Sequence, residues 1–188
     1  MTTLDIYGAT MRTDDFDYKL DEDRIAQDPA KKRDESKLLV VDRKTGAVEH
    51  ERFFDIKNHL KKGDLLVVNN TKVIPARMYG SRPGKEENIE ILLIKRISGD
   101  SWECLVKPGK KMKLGTEINI GEILTGRVID ITEDGSRIIE FSYEGIFEEI
   151  LDELGQMPLP PYITKKLEDR DRYQTVYAKE RGSAAAPT

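Results

Sequence analysis

The chain has one cysteine, two histidines and no long apolar run, and each shortage removes a class of function. A lone Cys104 permits no internal disulfide, so 188 residues must be held by burial and hydrogen bonding. His50 and His59 fall on different expected elements and Cys104 is remote from both, so no metal-ligand spacing exists and no metal site is expected. The longest apolar runs, such as Ile91 to Ile94, are far shorter than the roughly 20 residues a membrane-crossing helix needs. No basic stretch leading into an apolar one opens the chain, so a reducing cytoplasm without membrane contact is the expectation. Positive charge is in deficit as well: 31 Lys and Arg against 35 Asp and Glu leave a net charge of −4, which argues against coating nucleic acid by bulk charge. Nucleotide fingerprints are missing, because Gly80 to Lys85 has one residue too few between its glycines for a phosphate loop and Glu86 follows where a hydroxyl is needed. Neither a Gly-x-Ser-x-Gly elbow nor a dinucleotide-binding glycine pattern is present.

What is there is a lean but adequate globular composition, 38% hydrophobic and 35% charged, long enough for one large or two small domains. Residues 1–10 show no clear pattern and read as an extension, with Met11 a natural internal start. A short helix is expected from Asp21, with Glu22 and Asp23 in its first turn and Pro29 as its stop. "SKLLVVD" and "AVEHERFF" read as a hairpin turning at Gly46, followed by a short helix over "DIKNHL". Leu65 to Val68 is continuously apolar, the pattern of a strand buried on both faces, with Asn69-Asn70 interrupting it. Between Ala76 and Tyr143 the runs "NIEILLIK", "SWECLVK", "TEINI", "ILTGRVIDI" and "SRIIEFSYE" alternate with turn residues and predict a small antiparallel barrel. Helical period returns in an apolar stripe of Ile146, Phe147, Ile150, Leu151 and Leu154 closed by Gly155, and the prolines of "MPLPPYI" then enforce an extended linker or clamp. The layout predicted is an α/β (mixed) domain, residues 11–75 and 144–188, interrupted by an inserted small antiparallel β-barrel, residues 76–143.

Three polar stretches can carry chemistry. Asn69, Asn70, Thr71 and Lys72 gather amides, a hydroxyl and a cation at the end of the expected buried strand; they suit either a ligand site or a hydrogen-bonded turn. Arg172, Tyr173, Gln174, Thr175 and Tyr177 gather donors, acceptors and rings that could stack a base, or could simply be half-buried. "KPGKKMK", with Lys107, Lys110, Lys111 and Lys113 and no acid, is either a solvated loop or one that contacts phosphate.

Taken in order, "DFDYKL", "RIAQDP", "RDESKLLVVDRKTG", "GDLLVVNNTKVIPAR", "IEILLI", "VKPGKKMK", "MPLPPYI" and "RYQTVYAKERGSAAAPT" resemble one family, the S-adenosylmethionine:tRNA ribosyltransferase-isomerases of queuosine biosynthesis. The resemblance runs from Asp15 to Thr188. It implies transfer and isomerisation of the ribosyl part of S-adenosylmethionine onto 7-aminomethyl-7-deazaguanine at the tRNA wobble position, giving epoxyqueuosine with release of adenine and methionine. S-adenosylmethionine is then a substrate and no prosthetic group is expected, because a sulfonium acidifies its neighbouring carbon and a base can begin the reaction without a metal. The partners implied are tRNA and S-adenosylmethionine, with a monomer expected.

The same resemblance points to Asn69, Asn70, Thr71, Arg77, Arg172, Gln174 and Thr175 for substrate binding, to Asp34, Tyr173 and Tyr177 for catalysis, and to Lys107, Lys110, Lys111 and Lys113 for tRNA. Lys37 stands where the family has Arg before "LLV", which removes a bidentate grip on an anion. Gln156 stands where His is frequent, which weakens the case for a base there. In the family "AAPT" continues into "AGLHF" and a further long stretch, so the expectation is an N-terminal fragment without catalysis of its own. The alternative is a non-catalytic RNA-binding remnant built on the barrel.

Overall fold

The computed structural model describes residues 4–6, 9–165 and 169–184, with side chains from residue 12 onward. Thus, of the terminal "AAPT" motif and its alanine run, only Ala184 lies inside the described residues. The chain divides into two units, Met1–His59 and Leu60–Thr188. Strand dominates the second unit, the first mixes short strands with 3-10 turns, and helix is confined to one α-helix and short 3-10 turns among the described residues. No described helix is long and apolar enough to cross a membrane.

In the first unit, β1 (Leu4–Ile6) pairs antiparallel with β2 (Ala9–Met11), where the sequence showed no pattern. The expected hairpin forms between β3 (Lys37–Val41) and β4 (Val48–Arg52), in register from Lys37 opposite Arg52 to Val41 opposite Val48. Its turn is built by Asp42, whose carboxylate accepts from the Lys44 and Thr45 amides at 2.9 and 2.7 Å, while Gly46 takes φ +73°. The helix expected from Asp21 reduces to a 3-10 turn over Glu22–Arg24, and "DIKNHL" lies in a second over Phe53–His59. Asp21 makes no side-chain cap, and a short uncapped nucleus close to a proline gains too little to propagate. No residue from 12 to 59 is buried.

The second unit begins with an exposed apolar run where a buried strand was expected. Leu65, Leu66, Val67 and Val68 form no strand and are 87%, 63%, 82% and 44% exposed. A strand needs neighbours for its amides and carbonyls, and no described strand pairs with this run. Strand begins instead at β5 (Thr71–Val73).

The expected barrel strands all form: β6 (Arg77–Gly80), β7 (Ile89–Ser98), β8 (Ser101–Lys107), β9 (Glu117–Ile120), β10 (Leu124–Ile131) and β11 (Arg137–Tyr143). They make one antiparallel sheet in the order β6-β7-β8-β11-β10-β9. Its two edges approach each other, with Ser81 and Asn119 exchanging backbone hydrogen bonds at 2.9 and 2.8 Å, so the sheet is nearly closed. Gly80 permits that approach, since a Cβ there would sit 2.5 Å from the Asn119 carbonyl oxygen. Period-two alternation buries Met78, Ile89, Ile91, Leu93, Ile118, Ile120, Leu124, Val128 and Ile139 to 1% exposure or less. Cys104 lies in the same core, where burial pushes its thiol up and leaves it a small hydrophobe.

Helix α1 (Phe147–Leu154) buries Phe147, Ile150 and Leu151, and Phe147 packs among the rings of Trp102, Phe141 and Tyr143 at 5.7, 5.6 and 5.1 Å. Ile146 departs from the expected stripe: it is the N-cap residue and 56% exposed. Gly155 ends the helix with ordinary extended backbone, φ −81° and ψ 153°, so its need for glycine is steric. A Cβ there would fall 2.0 Å from the Pro75 carbonyl oxygen.

A charge cluster braces the barrel. Glu87, its side chain only 7% exposed, accepts from Arg82 Nε at 2.7 Å and from Lys111 Nζ at 2.7 Å. These partners hold its carboxyl at about 2, below its ordinary 4.5. Because the folded value is depressed, the cluster's contribution is complete above pH 4.5 and is lost as pH falls through about 2. Chemical denaturation from pH 6 to pH 2 should therefore show a decline in wild-type stability below pH 4.5 that is shallower in Glu87→Gln, which should also be less stable at pH 6.

Candidate functional site

Two of the polar stretches, about one hundred residues apart, meet in the second unit. Strand β12 (Glu180–Ser183) pairs parallel with β5, Thr71 opposite Glu180 and Lys72 opposite Arg181. Parallel neighbours need a long connection, and here the barrel and α1 supply it. The pair is tightened at its start by the Asn70 carbonyl, which accepts from the Lys179 and Glu180 amides at 2.7 and 3.0 Å, and at its end by Ile74 N–H donating to the Ser183 carbonyl at 2.9 Å.

The other edge of β5 is closed by a side chain. Gln174 is buried, accepts from Val73 N–H through Oε1 at 2.9 Å and donates to the Val73 carbonyl through Nε2 at 2.8 Å. One amide side chain thus takes the two hydrogen bonds that a further strand would make at that residue. Thr175 Oγ1 adds a hydrogen bond to the Asn69 carbonyl at 3.2 Å. Asn69 in turn shapes its own turn, its Oδ1 accepting from Thr71 N–H at 2.9 Å and Thr71 Oγ1 at 2.6 Å. Four expected ligand groups, Asn69, Thr71, Gln174 and Thr175, therefore have side chains engaged in building the junction.

The other residues of the two motifs lie beside this frame. Asn70 and Tyr177 are exposed and make no side-chain hydrogen bond among the described residues. Tyr173 and Arg172 are half-buried on the 3-10 turn Arg170–Tyr173. Burial, then the neighbouring Tyr162, raises the Tyr173 phenol above its usual value, so at neutral pH it is a protonated donor rather than a base.

The remaining candidates lie elsewhere. Asp34 is exposed on the 3-10 turn Arg33–Glu35 of the first unit. Arg77 stands on β6, where its backbone exchanges hydrogen bonds with Gln156 at 3.1 and 2.7 Å. Its guanidinium lines a cavity of about 410 Å³ together with Glu153, Gln156, Lys165 and Arg170. The Nε lies 3.1 Å from Glu90 Oε1 but is not directed at it, so this buried N–H has no acceptor. Lys107, Lys110 and Lys113 are exposed on the barrel, whereas Lys111 is held by Glu87.

Sequence reading missed Arg137, whose Nε and Nη2 donate to the Met112 and Gly109 carbonyls at 2.9 and 2.7 Å and stitch the lysine loop into a fixed shape. Nothing local could have announced it, because Arg137 is one arginine on a strand 25 residues away. Glu153, Lys165 and Arg170 were missed for the same reason; only Arg170, two residues before Arg172, lay beside a motif already singled out.

If Gln174 fastens the junction, Gln174→Ala should lower stability by about 1–3 kcal/mol, the cost of leaving buried Val73 groups unpaired. Gln174→Glu should do at least as badly, since a carboxylate cannot donate to the Val73 carbonyl. Urea unfolding measures both, and a variant within 0.5 kcal/mol of wild type, about the scatter of neutral surface changes, would contradict the assignment.

The family described as queuosine biosynthesis protein matches residues 13–188. The S-adenosylmethionine:tRNA ribosyltransferase-isomerase of Finegoldia magna is 64% identical over 178 residues, 95% of this chain and 51% of that protein. Its counterpart from Desulfitobacterium hafniense is 54% identical over 179 residues, 95% of this chain and 52% of that protein. A crystal structure of S-adenosylmethionine tRNA ribosyltransferase from Thermotoga maritima is 44% identical, covering 74% of this chain and 48% of that one with a TM-score of 0.38. The chain spans about half the length of the curated relatives it matches. Matched from residue 13 to residue 188 and this similar to its relatives along 95% of its length, the chain belongs to the queuosine biosynthesis protein family.

Proposed function

We propose that this chain forms the N-terminal part of a tRNA ribosyltransferase-isomerase, acting in the cytoplasm as a monomer. The reaction moves and isomerises the ribosyl group of S-adenosylmethionine onto 7-aminomethyl-7-deazaguanine at the tRNA wobble position. The observation that carries the reading is the junction of β5 and β12, where the two most distinctive motifs of the chain are fastened together through Gln174 and Val73. In this reading residues 11–75 and 144–188 belong to one α/β domain, with residues 76–143 inserted as a barrel. The parallel pair of β5 and β12, which lie before and after the barrel in sequence, supports the barrel's being an insertion.

The chemistry asks little of the protein beyond placement. A base removes the ribose 5′ proton, made acidic by the sulfonium, and the amine of the modified base then attacks, with adenine and methionine leaving. The junction residues hold the substrates and exclude water. Asn70 and Arg172 bind, with Arg77 on the adjoining strand; Gln174, Asn69, Thr71 and Thr175 keep the frame. Tyr173 donates a hydrogen bond, Tyr177 offers an exposed ring for stacking, and Asp34 is the candidate base. Lys107, Lys110 and Lys113 meet the tRNA backbone.

A chimera tests the assignment: residues 13–188 replace the matching half of the Finegoldia magna relative, and adenine release is followed with S-adenosylmethionine and tRNA bearing the aminomethyl base. Release that needs both substrates is expected; a folded chimera without release would contradict the proposal. In the same protein, Lys110→Glu with Lys113→Glu should weaken tRNA binding and reduce the salt slope by about one for each lysine. Lys111→Glu should act mainly on stability, through Glu87.

A further inference from the structure

The cavity beside Arg77 carries one carboxylate and one guanidinium that no described residue of opposite charge contacts. Among the described residues, Glu153 has no cation within 4 Å, and Arg170 has no carboxylate within 4 Å. Arg170 is instead aimed by main-chain carbonyls, Nη1 donating to Asp152 O at 3.0 Å and Nη2 to Gly155 O at 3.3 Å. These bonds fix the guanidinium at the C-terminal end of α1 without cancelling its charge. Arg77 lines the same space but is already engaged, its Nε 3.1 Å from Glu90 Oε1 and its Nη2 donating to the Leu159 carbonyl at 3.4 Å. Met157, Leu159 and Ile163 supply apolar wall, shaped by a turn in which Ile163 N–H donates to the Pro160 carbonyl at 3.0 Å.

An unpaired cation, an unpaired carboxylate and an apolar wall around one space complement a zwitterion with an apolar side chain. We propose that this cavity binds the α-amino acid end of S-adenosylmethionine, with Arg170 facing its carboxylate and Glu153 its ammonium. This inference rests on S-adenosylmethionine being the ribosyl donor. A cavity of about 410 Å³ falls within the range of small-molecule sites. A phosphate group would satisfy Arg170 but would face the Glu153 carboxylate, which favours the amino acid over a nucleic-acid backbone.

The test measures binding to the full 188-residue chain by isothermal titration, using L-methionine, methionine lacking its amino group, inorganic phosphate and S-adenosylmethionine. L-methionine should bind and displace S-adenosylmethionine, and the compound without the amine should bind about tenfold more weakly, as loss of one charge-assisted contact implies. In Glu153→Gln, whose carboxylate supports no internal bond, the two should bind equally while the fold is unchanged. Failure of methionine to bind, unchanged discrimination in Glu153→Gln, or displacement of methionine by phosphate would each overturn the proposal. S-adenosylmethionine bound but not displaced by methionine would overturn this placement and leave the donor reading standing. Methionine bound without S-adenosylmethionine would keep the amino acid site and count against the donor reading.

Discussion

The two hydrogen bonds between the Gln174 amide and the Val73 main chain hold the candidate site together. They join residues 101 apart in sequence, a separation that would carry a large loop-closure entropy in an open chain. The folded barrel removes most of that cost. Its first strand starts four residues after Val73, and the Arg77–Gln156 bridge brings the chain back beside that strand after α1. Only the stretch from Gln156 to Gln174 then has to be ordered. A side-chain amide suits the position because it offers one donor and one acceptor at the spacing of a strand edge, without adding a further edge that would itself need a partner.

The same frame explains how an acidic chain presents cationic groups. Glu87 neutralises Lys111, and Arg137 spends its donors on the carbonyls of the lysine loop, so the loop is rigid while Lys107, Lys110 and Lys113 stay exposed. Around the Arg77 cavity the logic reverses. Main-chain carbonyls orient Arg170 but leave its charge for a ligand. In both places hydrogen bonding to carbonyls sets geometry, and the presence or absence of a carboxylate decides whether charge remains available.

Much of the barrel was legible in the sequence, because period-two alternation over strands such as Leu124–Ile131 has no helical reading and Gly, Asp and Ser punctuate it. The stripe of α1 was legible for the matching reason, at period 3.6. Leu65 to Val68 misled because continuous apolarity registers hydrophobicity and not the presence of a partner strand. The turn at Asp21 misled because a good capping residue does not guarantee that the cap forms. At the site, "NNTK" and "RYQTVYA" stood out as polar stretches, yet their contact depends on a barrel of some seventy residues between them. Gln174 looked like a ligand group and is a frame group; residue type alone does not distinguish the two. Arg137, Arg170 and Glu153 carried no local signal, since their roles arise only from which carbonyls and charges the fold brings near.

Backbone and side-chain amide hydrogen exchange, followed by NMR on the 188-residue chain, tests the central claim directly. The Val73 amide and one Gln174 side-chain proton should be protected together and should show a mutual nuclear Overhauser contact. Exchange of the Val73 amide as fast as that of the exposed Leu65 to Val68 run, with no contact to Gln174, would contradict the account.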